Sequence, residues 1–484
     1  MKPLKVALVH HHLRRGGVTR VIRNILKAIP NSDVVFCVLT GEAPTEDWPA
    51  PVAVVEGLRY AEETSQNWQD TLQAMRDAAH DVFGRLPDVW HIHNHSLGKN
   101  PAVTRAVRQL ADDGERLLLH IHDFAEDGRP SNYQRMLREL GGGDAVQYGR
   151  ITHPLAAHVV YALLNPRDDA FIAGAGANAE NHALLPNAVE LCEPEHRPEI
   201  RKGFYLYPTR AIRRKNIGEF LLWAALDQTG GRYAVTLAPE NPKEHPLYER
   251  WTALAQELKL PVEFEAGLNT DLPFNEFMAS AEAICTTSVQ EGFGMAFLEP
   301  WLAGRPLAGR DLPEVTAQFG ACGVDLSRMY RRLLVPLDWI DRGAFQRKLS
   351  EAYARFAEAY NRHADEDSVQ RAMKAAMEGN RIDFARLDIA SQEQIIRRAA
   401  ANPSAARAMI DPVELFDSKI KDDLESQRRN VREHFNLRQY GERLMHIYLQ
   451  LMNGTTSGQV RSLAAHRLLD QFMAPERFML MLYE

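Results

Sequence analysis

Short apolar runs, each followed by a polar or glycine-containing loop and then a helical pattern, repeat along most of this chain. A continuous apolar run of this length is typical of a strand that is buried on both faces, as in a parallel sheet. We predict such strands at residues 4–9, 34–39, 87–94, 116–123, 203–208, 234–238, 262–265 and 284–289. Alternating strands and helices in both halves predict an α/β fold with two doubly wound parallel sheets.

The length of the chain bears on the number of domains. With 484 residues it exceeds what one hydrophobic core usually serves, so we expect two domains that face each other across a cleft. We predict a first Rossmann-like domain at residues 1–200, a second at 201–415, and helices returning to the first domain at 416–484. Residues 329–408 have a helical pattern. We interpret the amphipathic stretch 459–484 as a helical segment that packs within the protein. The alternative is a contact with a second copy of the chain or with a membrane.

Composition narrows the functional class. The net charge of −7 argues against a general nucleic-acid binder. The four cysteines lack CxxC spacing, which predicts neither a disulfide framework nor a zinc site, so we expect a reducing cytoplasm. No apolar run approaches the length of a transmembrane helix, although peripheral membrane contact and a homo-oligomer stay open.

The most informative stretch covers residues 283–315. A short strand leads into the turn Glu291-Gly292-Phe293-Gly294, and a helix is expected from Met295 to Gly304 with a kink at Pro300. Free backbone N–H groups at the start of such a helix favour an anion. The nearby carboxylates of Glu291 and Glu299 suit sugar hydroxyl groups better than phosphate. This combination predicts a nucleotide-sugar site.

A second loop with basic residues precedes that stretch. Arg210 and Lys215 lie five residues apart between a strand and an amphipathic helix that we expect to reach Leu226. Two cations in one strand-to-helix loop can converge on one diphosphate, and the helix N-terminus adds its dipole. Arg213 and Arg214 lie in the same loop, but one or both of them can equally face water.

Together these motifs carry a resemblance to a known family. The pair Glu291 and Glu299, with Gly-Phe-Gly directly after the first glutamate, resembles the signature of retaining GT-B glycosyltransferases, specifically glycosyltransferase family 4. Further elements follow the family order, namely Gly16-Gly17, His91 with His93, His122-Asp123, Pro186-Asn187, and Arg210 with Lys215. The chain departs from the family's "PNGV" element only in having Ala188 at the glycine position.

The resemblance implies roles for individual residues. It places the catalytic machinery at His122, Glu291, Arg210 and Lys215, with His122 at the donor sugar. It places donor binding at Gly16, Gly17, Arg210, Lys215, Glu291, Gly292, Phe293, Gly294, Met295 and Glu299. It implies Glu291 at the donor sugar and Glu299 at the ribose. The nucleotide sugar is a co-substrate, and no cofactor is expected.

The acceptor is expected on the first domain, between the Gly16-Gly17 loop and residues 124–164, which look irregular. The candidate contacts are Arg14, Arg15, His91, His93 and Arg129. Together with His10, His11 and His12 these groups favour an acceptor that carries a carboxylate or phosphate. The three consecutive histidines have no acidic ligand beside them and point in different directions, so we expect no metal.

We therefore expect a metal-independent retaining hexosyltransferase that uses a UDP- or GDP-sugar and a small-molecule, glycan or lipid-linked hydroxyl acceptor. Two alternatives remain. One is a GT-B epimerase acting on a UDP-N-acetylhexosamine, which needs the diphosphate site but no acceptor. The other is a catalytically silent sugar-binding or scaffold protein.

Overall fold

The chain forms two compact units in a computed structural model. Unit 1 comprises residues 1–188 and 435–473, and unit 2 comprises residues 189–434 and 474–484. The structure describes residues 3–30, 32–61, 67–190, 198–411, 423–456 and 458–483.

Unit 1 is built on a seven-stranded parallel sheet. Its strand order is β3-β2-β1-β4-β5-β7-β8. The bounds of the strands are β1 (Leu4–His10), β2 (Val34–Thr40), β3 (Val52–Val54), β4 (Val89–His93), β5 (Leu117–Ile121), β6 (Pro154–Leu155), β7 (Val159–Leu163) and β8 (His182–Leu184). The order reverses between β1 and β4, which makes the carboxyl ends of these two strands the expected place for a ligand.

The described residues of the first stretch of unit 1 form the helices α1 (Gly17–Ala28), α2 (Trp68–Phe83), α3 (Pro101–Asp112), α4 (Pro130–Gly141), α5 (Ala145–Thr152) and α6 (Pro166–Gly174). Several begin at a side chain that caps the first turn. Asn100 accepts from the N–H of Ala102, and Pro101 occupies the first turn of α3, where its missing N–H costs nothing.

The expectation of irregular structure at residues 124–164 is wrong. This segment contains α4, α5 and β7, and α4 buries Tyr133, Met136, Leu137 and Leu140 at helical spacing. The glycines that suggested an irregular loop end the helix instead. Gly142 has φ of 60° in the left-handed region, which glycine adopts without strain.

Unit 2 has its own parallel sheet, of six strands in the order β11-β10-β9-β12-β13-β14. The strands are β9 (Arg201–Arg210), β10 (Arg232–Leu237), β11 (Val262–Glu263), β12 (Ala281–Thr286), β13 (Leu307–Arg310) and β14 (Met329–Tyr330). The helices between them are α7 (Ile217–Leu226), α8 (His245–Glu257), α9 (Phe274–Ser280), α10 (Glu299–Leu302) and α11 (Pro313–Ala321). The prediction of two parallel-sheet α/β domains is confirmed.

Two predicted helices of unit 2 differ from the structure. α7 is not amphipathic, because all ten of its residues are buried. It is covered by the sheet on one side and by other helices on the other, and a Cβ at Gly218 would meet Trp251 of α8 at 2.8 Å. The helix expected from Met295 is broken at Leu298 into a single 3-10 turn, Met295–Phe297, and the one-turn α10. Pro300 causes no defect, since it lies in the first turn of α10.

After β14 the chain is only partly helical. It forms a small antiparallel sheet in the order β15-β17-β16, made of β15 (Leu334–Pro336), β16 (Met377–Glu378) and β17 (Arg381–Asp383). The helices of this part are α12 (Arg342–Glu358), α13 (Glu366–Ala376), α14 (Ile389–Ala401), α15 (Pro403–Arg407) and α16 (Leu424–His434).

The chain then returns to unit 1 with α17 (Leu437–Asn453), β18 (Arg461–Ser462) and α18 (Ala465–Phe472). α17 packs closely on α1, since a Cβ at Gly441 would lie 2.6 Å from the carbonyl oxygen of Ala28. β18 pairs with β6 in a two-stranded antiparallel sheet. The apolar side of α18 is buried at Leu468, Leu469 and Phe472, so internal packing accounts for it.

The division of the chain thus differs from the predicted boundaries. Unit 1 ends at Ala188 rather than at residue 200, and α16 belongs to unit 2 although we expected it to return to the first domain. The last residues, 474–484, also belong to unit 2, where Phe478 packs against Tyr353 with 5.1 Å between ring centroids. The predicted start of the returning helices, residue 416, lies outside the described residues. Among the described residues, no helix is long and apolar enough to cross a membrane.

Candidate active site

Two loops meet at the reversal point of the sheet in unit 2. β9 ends at Arg210 and β12 ends at Thr286, and these strands are neighbours where the strand order reverses. Hydrogen bonds join the loops that follow. The N–H of Val289 donates to the carbonyl of Arg214 at 2.9 Å, and the hydroxyl of Thr287 donates to the carbonyl of Lys215 at 3.0 Å. The predicted basic loop and glutamate loop therefore form one local structure, at the sheet edge where α/β folds bind ligands.

A buried carboxylate between two cations occupies the centre of this structure. Lys215 Nζ donates to Glu291 Oε1, and Arg214 Nη1 lies 3.2 Å from Glu291 Oε2. The side chains of Lys215 and Glu291 are only 12 % and 9 % exposed. Burial alone would raise the pKa of Glu291, but Lys215 and Arg214 together hold it below its ordinary value. Glu291 is therefore an anion at neutral pH, and Arg214 proves to be its second partner.

The remaining arginines of the basic loop point elsewhere. Arg210 Nη2 pairs with Glu240 Oε1 at 2.7 Å, and its side chain is 45 % exposed. Arg213 donates to the carbonyl of Met481 at 2.7 Å, which ties the loop to the chain terminus. The cations that the structure brings together at Glu291 are thus Lys215 and Arg214, whereas we expected Arg210 and Lys215 to converge.

The glycine-rich turn after Glu291 is shaped by packing. Gly294 has φ of 87°, and a Cβ there would lie 2.8 Å from the ring of Phe297. Phe293 is buried against Phe319 with 5.5 Å between ring centroids, so its side chain belongs to the core. Met295 begins the single 3-10 turn, and Glu299 opens the one-turn α10. Because both pieces are so short, the helix dipole that we expected to favour an anion here is largely lost.

A buried network of charged side chains forms a hydrogen bond to the end of the basic loop, at Asn216. Arg310 donates to both oxygens of Glu219, at 3.0 and 2.6 Å, and to both oxygens of Asp383, at 3.2 and 2.8 Å. Tyr330 donates to Glu219 at 2.6 Å, and Asn216 Nδ2 donates to Glu219 at 2.9 Å. Asn216 directly follows Lys215 and has φ of 49°, in the left-handed region. The network therefore fixes the backbone next to Lys215, and no sequence motif indicated it.

Gly16 and Gly17 in unit 1 are not required by the fold. Gly16 is extended, with φ of 175°, and a Cβ there would approach nothing closer than 3.8 Å. A Cβ at Gly17 would meet no atom within 4 Å. The N-terminus of α1 has no capping bond from a described side chain and no acidic residue in its first turn. The space at this helix end leaves room for a ligand, and the approach of a donor phosphate to Gly16 and Gly17 stays a prediction.

Histidines from two neighbouring strands, β4 and β5, and from the residue after β5 form a buried stack in unit 1. His93 Nδ1 lies 2.9 Å from His122 Nε2, and His91 Nε2 lies 3.1 Å from His120 Nδ1. The rings of His91 and His93 are stacked with 4.5 Å between centroids, which places both on one face of β4 as the alternation predicted. In the structure these two rings contact other histidines and Tyr448, whose hydroxyl lies 2.8 Å from His91 Nδ1, rather than the surface.

The histidine stack is neutral at physiological pH. Burial lowers the pKa of His91 and of His122 to about 3. Ring nitrogens of His91, His93 and His120 lie within 4.8 Å of one another, close enough to consider a metal. However, the rings of His91 and His93 are stacked with planes 20° apart, and His91 Nε2 lies within hydrogen-bond distance of His120 Nδ1, at 3.1 Å. The geometry favours a hydrogen-bonded stack.

His122 is held by a residue that sequence reasoning missed. Asn94 has φ of 54°, and its side-chain oxygen accepts from the backbone N–H groups of His122 and Asp123 at 2.7 and 3.1 Å. Asn94 is the last residue of the predicted strand 87–94, and a polar residue at that strand end was the available signal.

Two of the three predicted acceptor arginines are engaged in ion pairs. Arg14 pairs with Glu42 at 2.5 Å, and Arg129 pairs with Asp123 at 2.5 Å. Arg15 is exposed. An aromatic residue without any sequence motif, Tyr60, lies beside His11 and His12 with 5.1 and 4.9 Å between ring centroids.

The fold is that of GT-B glycosyltransferases. Sucrose-phosphate synthase from Thermosynechococcus elongatus superposes with a TM-score of 0.51 at 16 % identity, over 93 % of this chain and 99 % of that one. A glycosyltransferase from Rickettsia africae ESF-5 superposes with a TM-score of 0.50 at 11 % identity, over 94 % of this chain and 100 % of that one. The GT-B fold predicted from the motifs is therefore confirmed.

The chain is also similar in sequence to a particular enzyme. It is 26 % identical over 325 residues to mannosylglucosyl-3-phosphoglycerate synthase from Petrotoga mobilis. The match spans 60 % of this chain and 62 % of that enzyme, so it falls short of two thirds of the relative's length. No family model matches the chain.

Proposed function

We propose that this protein is a retaining glycosyltransferase that moves a mannosyl group from a nucleoside-diphosphate mannose to a hydroxyl group of glucosyl-3-phosphoglycerate. The observation that carries the transferase function is the buried Glu291 carboxylate between Lys215 and Arg214 at the reversal point of the second sheet. The choice of mannose and of this acceptor is supported by the similarity to the Petrotoga mobilis enzyme, whose name states the product.

In this proposal the cations of unit 2 stabilise the leaving group. The bond between C1 of the sugar and the diphosphate oxygen breaks, and its electron pair stays on the diphosphate. The acceptor hydroxyl oxygen forms the new bond to C1 on the same face, and its proton passes to the departing phosphate. Negative charge grows on the diphosphate during this step, so Lys215 and Arg214 stabilise the transition state more than the ground state. The family resemblance assigns Arg210 to the same diphosphate.

Glu291 has two effects in this scheme. Burial lowers the pKa of Lys215, and the charge of Glu291 opposes that shift and orients the ammonium; Glu291 also offers carboxylate oxygens to hydroxyl groups of the donor sugar. The family resemblance assigns His122 of unit 1 to the donor sugar, and a neutral imidazole can donate or accept one hydrogen bond in that role. Glu299 is assigned to the ribose by the family resemblance.

The test is a transfer assay with purified full-length protein. GDP-mannose and UDP-mannose are each incubated with glucosyl-3-phosphoglycerate, and the product is identified by mass spectrometry. The anomeric coupling in the NMR spectrum then reports retention or inversion. We expect transfer with one of the two donors, and nucleotide release that depends on the added acceptor.

Other results would refute the proposal. Nucleotide release from a UDP-N-acetylhexosamine without any acceptor would favour an epimerase. Donor binding without turnover under any pairing would favour a silent sugar-binding protein. An inverted product would leave a transferase but refute retention.

A further inference from the structure

We propose that Tyr60, Lys99 and His12 form the acceptor subsite of unit 1, with Lys99 binding the acidic group of the acceptor and the Tyr60 ring packing against its sugar. This inference rests on the proposed function for the identity of the acceptor. None of the three residues has a role in the family motifs described above.

The three side chains lie together at the carboxyl edge of the first sheet. Lys99 Nζ lies 5.5 Å from the centroid of the Tyr60 ring, and the His12 ring meets Tyr60 edge-on at 4.9 Å. They come from three separate loops, which follow β1, β3 and β4. Tyr60 is 39 % exposed, so its ring is open to a ligand. An aromatic face of this kind packs well against the C–H groups of a sugar ring, and its hydroxyl stays available for a hydrogen bond.

Lys99 is better suited to an anion than the nearby arginines. Arg14, Arg59 and Arg129 each have a carboxylate partner, namely Glu42, Glu56 and Asp123. Lys99 pairs with no carboxylate within the described part of the chain, which has a gap at residues 62–66. The Lys99 ammonium contacts the Tyr60 ring instead. This attraction is weak, so the ammonium can exchange it for a stronger interaction with a phosphate or carboxylate at little cost.

Buried histidine nitrogens supply a second, independent observation. His10 is only 4 % exposed, and its Nδ1 is buried with no hydrogen-bond partner in the described residues. The same holds for Nδ1 of His12, whose ring lies 5.3 Å from that of His10. Burial, followed by the charge of Arg14, lowers the pKa of His12, so its ring is neutral and can bond a hydroxyl group. A buried polar atom without a hydrogen-bond partner lowers the stability of the folded protein unless a water or a ligand provides that partner.

The ligand class follows from these groups. A sugar ring matches the exposed ring of Tyr60, and an attached phosphate or carboxylate matches Lys99. The subsite therefore selects a glycoside of an acid over a neutral glycoside.

The experiment compares Lys99→Met with Lys27→Met, in which an exposed lysine of the same unit is changed. We expect Lys99→Met to raise the acceptor KM by roughly tenfold to a hundredfold, as loss of a hydrogen bond to a charged group does, with the donor KM nearly unchanged. The control variant should behave as wild type. Tyr60→Leu should raise the acceptor KM while Tyr60→Phe, which keeps the ring, should raise it much less.

Two results would overturn the subsite. One is an acceptor KM of Lys99→Met equal to that of Lys27→Met. The other is a rise in the acceptor KM of Lys99→Met that is equally large for the phosphorylated acceptor and for glucosylglycerol, a neutral acceptor. Lys99 should affect only the KM of the acidic acceptor.

A failure of the proposed function can be told apart from a failure of the subsite. If wild type transfers nothing to the proposed acceptor, the proposed function fails, and the subsite is judged by calorimetric titration of 3-phosphoglycerate into each protein. Binding to wild type that is lost in Lys99→Met supports the subsite. Absence of binding to wild type, or equal binding to both proteins, refutes it.

Discussion

Replacing Lys215 by methionine tests the assignment of the diphosphate site most directly. The change removes the ammonium that donates to Glu291 and keeps the length of the side chain. Removal of one preorganised electrostatic donor typically costs about 3 kcal/mol of transition-state stabilisation, so we expect kcat to fall by roughly a hundredfold. Donor KM should change far less, because the charge that Lys215 stabilises develops as the bond breaks. Steady-state kinetics on Lys215→Met, Lys215→Arg and the exposed-lysine control Lys243→Met measures this.

The same variant has a predictable effect on folding stability. Arg214 remains 3.2 Å from Glu291, so the carboxylate keeps one partner, and we expect a loss of about 3 kcal/mol, at the low end for a broken buried pair. The pKa of Glu291 is lowered in the native protein, so its contribution is present above its unfolded pKa, about 4.3, and is lost as the pH falls further. Urea unfolding should show that the gap in stability between wild type and Lys215→Met is constant above that pH and narrows as the pH is lowered below it. If the kcat of Lys215→Met equals that of Lys243→Met, Lys215 does not stabilise the leaving diphosphate. If the difference in stability between wild type and Lys215→Met does not change with pH, the ion pair between Lys215 and Glu291 does not contribute to stability.

Three further predictions follow from the site. Glu291→Gln should lower kcat strongly, whereas Glu299→Gln should mainly raise the donor KM; identical effects on both parameters would contradict the separate roles. Arg310→Met should destabilise unit 2 by about 3–5 kcal/mol in urea unfolding, because it leaves Glu219 and Asp383 buried without a cation, while the exposed Arg331→Met should cost little. The loss of stability in Arg310→Met should become smaller as the pH is lowered, because burial raises the pKa of Glu219 and a protonated acid needs no cation. A loss that does not change with pH would contradict this prediction. Transfer should survive EDTA, because cations of the chain hold the leaving group, and loss of activity that magnesium or manganese restores would show that a metal takes this role.

Local sequence patterns were enough to find eight of the thirteen described strands in the two parallel sheets, and the order of the motifs. β1, β2, β4 and β5 lie within two residues of their predicted positions, because a run of apolar residues buried on both faces is a local property. The same reasoning failed at residues 124–164, where the short α4 and α5 carry many polar residues and the glycines mark a helix end rather than a loop. It also failed at α7, whose burial depends on α8 and α14 from distant parts of the chain.

The sequence by itself determined the two parallel sheets, the positions of Lys215 and Glu291 in neighbouring loops, and the common face of His91 and His93, since strand alternation and motif order are encoded locally. Only the tertiary structure decided which partner each charge takes. Arg214 rather than Arg210 joins Lys215 at Glu291, and Arg310 connects Glu219 to Asp383, 164 residues further along the chain. Ion pairs of this kind depend on distances of a few ångströms between residues that are remote in sequence, and on how far the fold removes them from water.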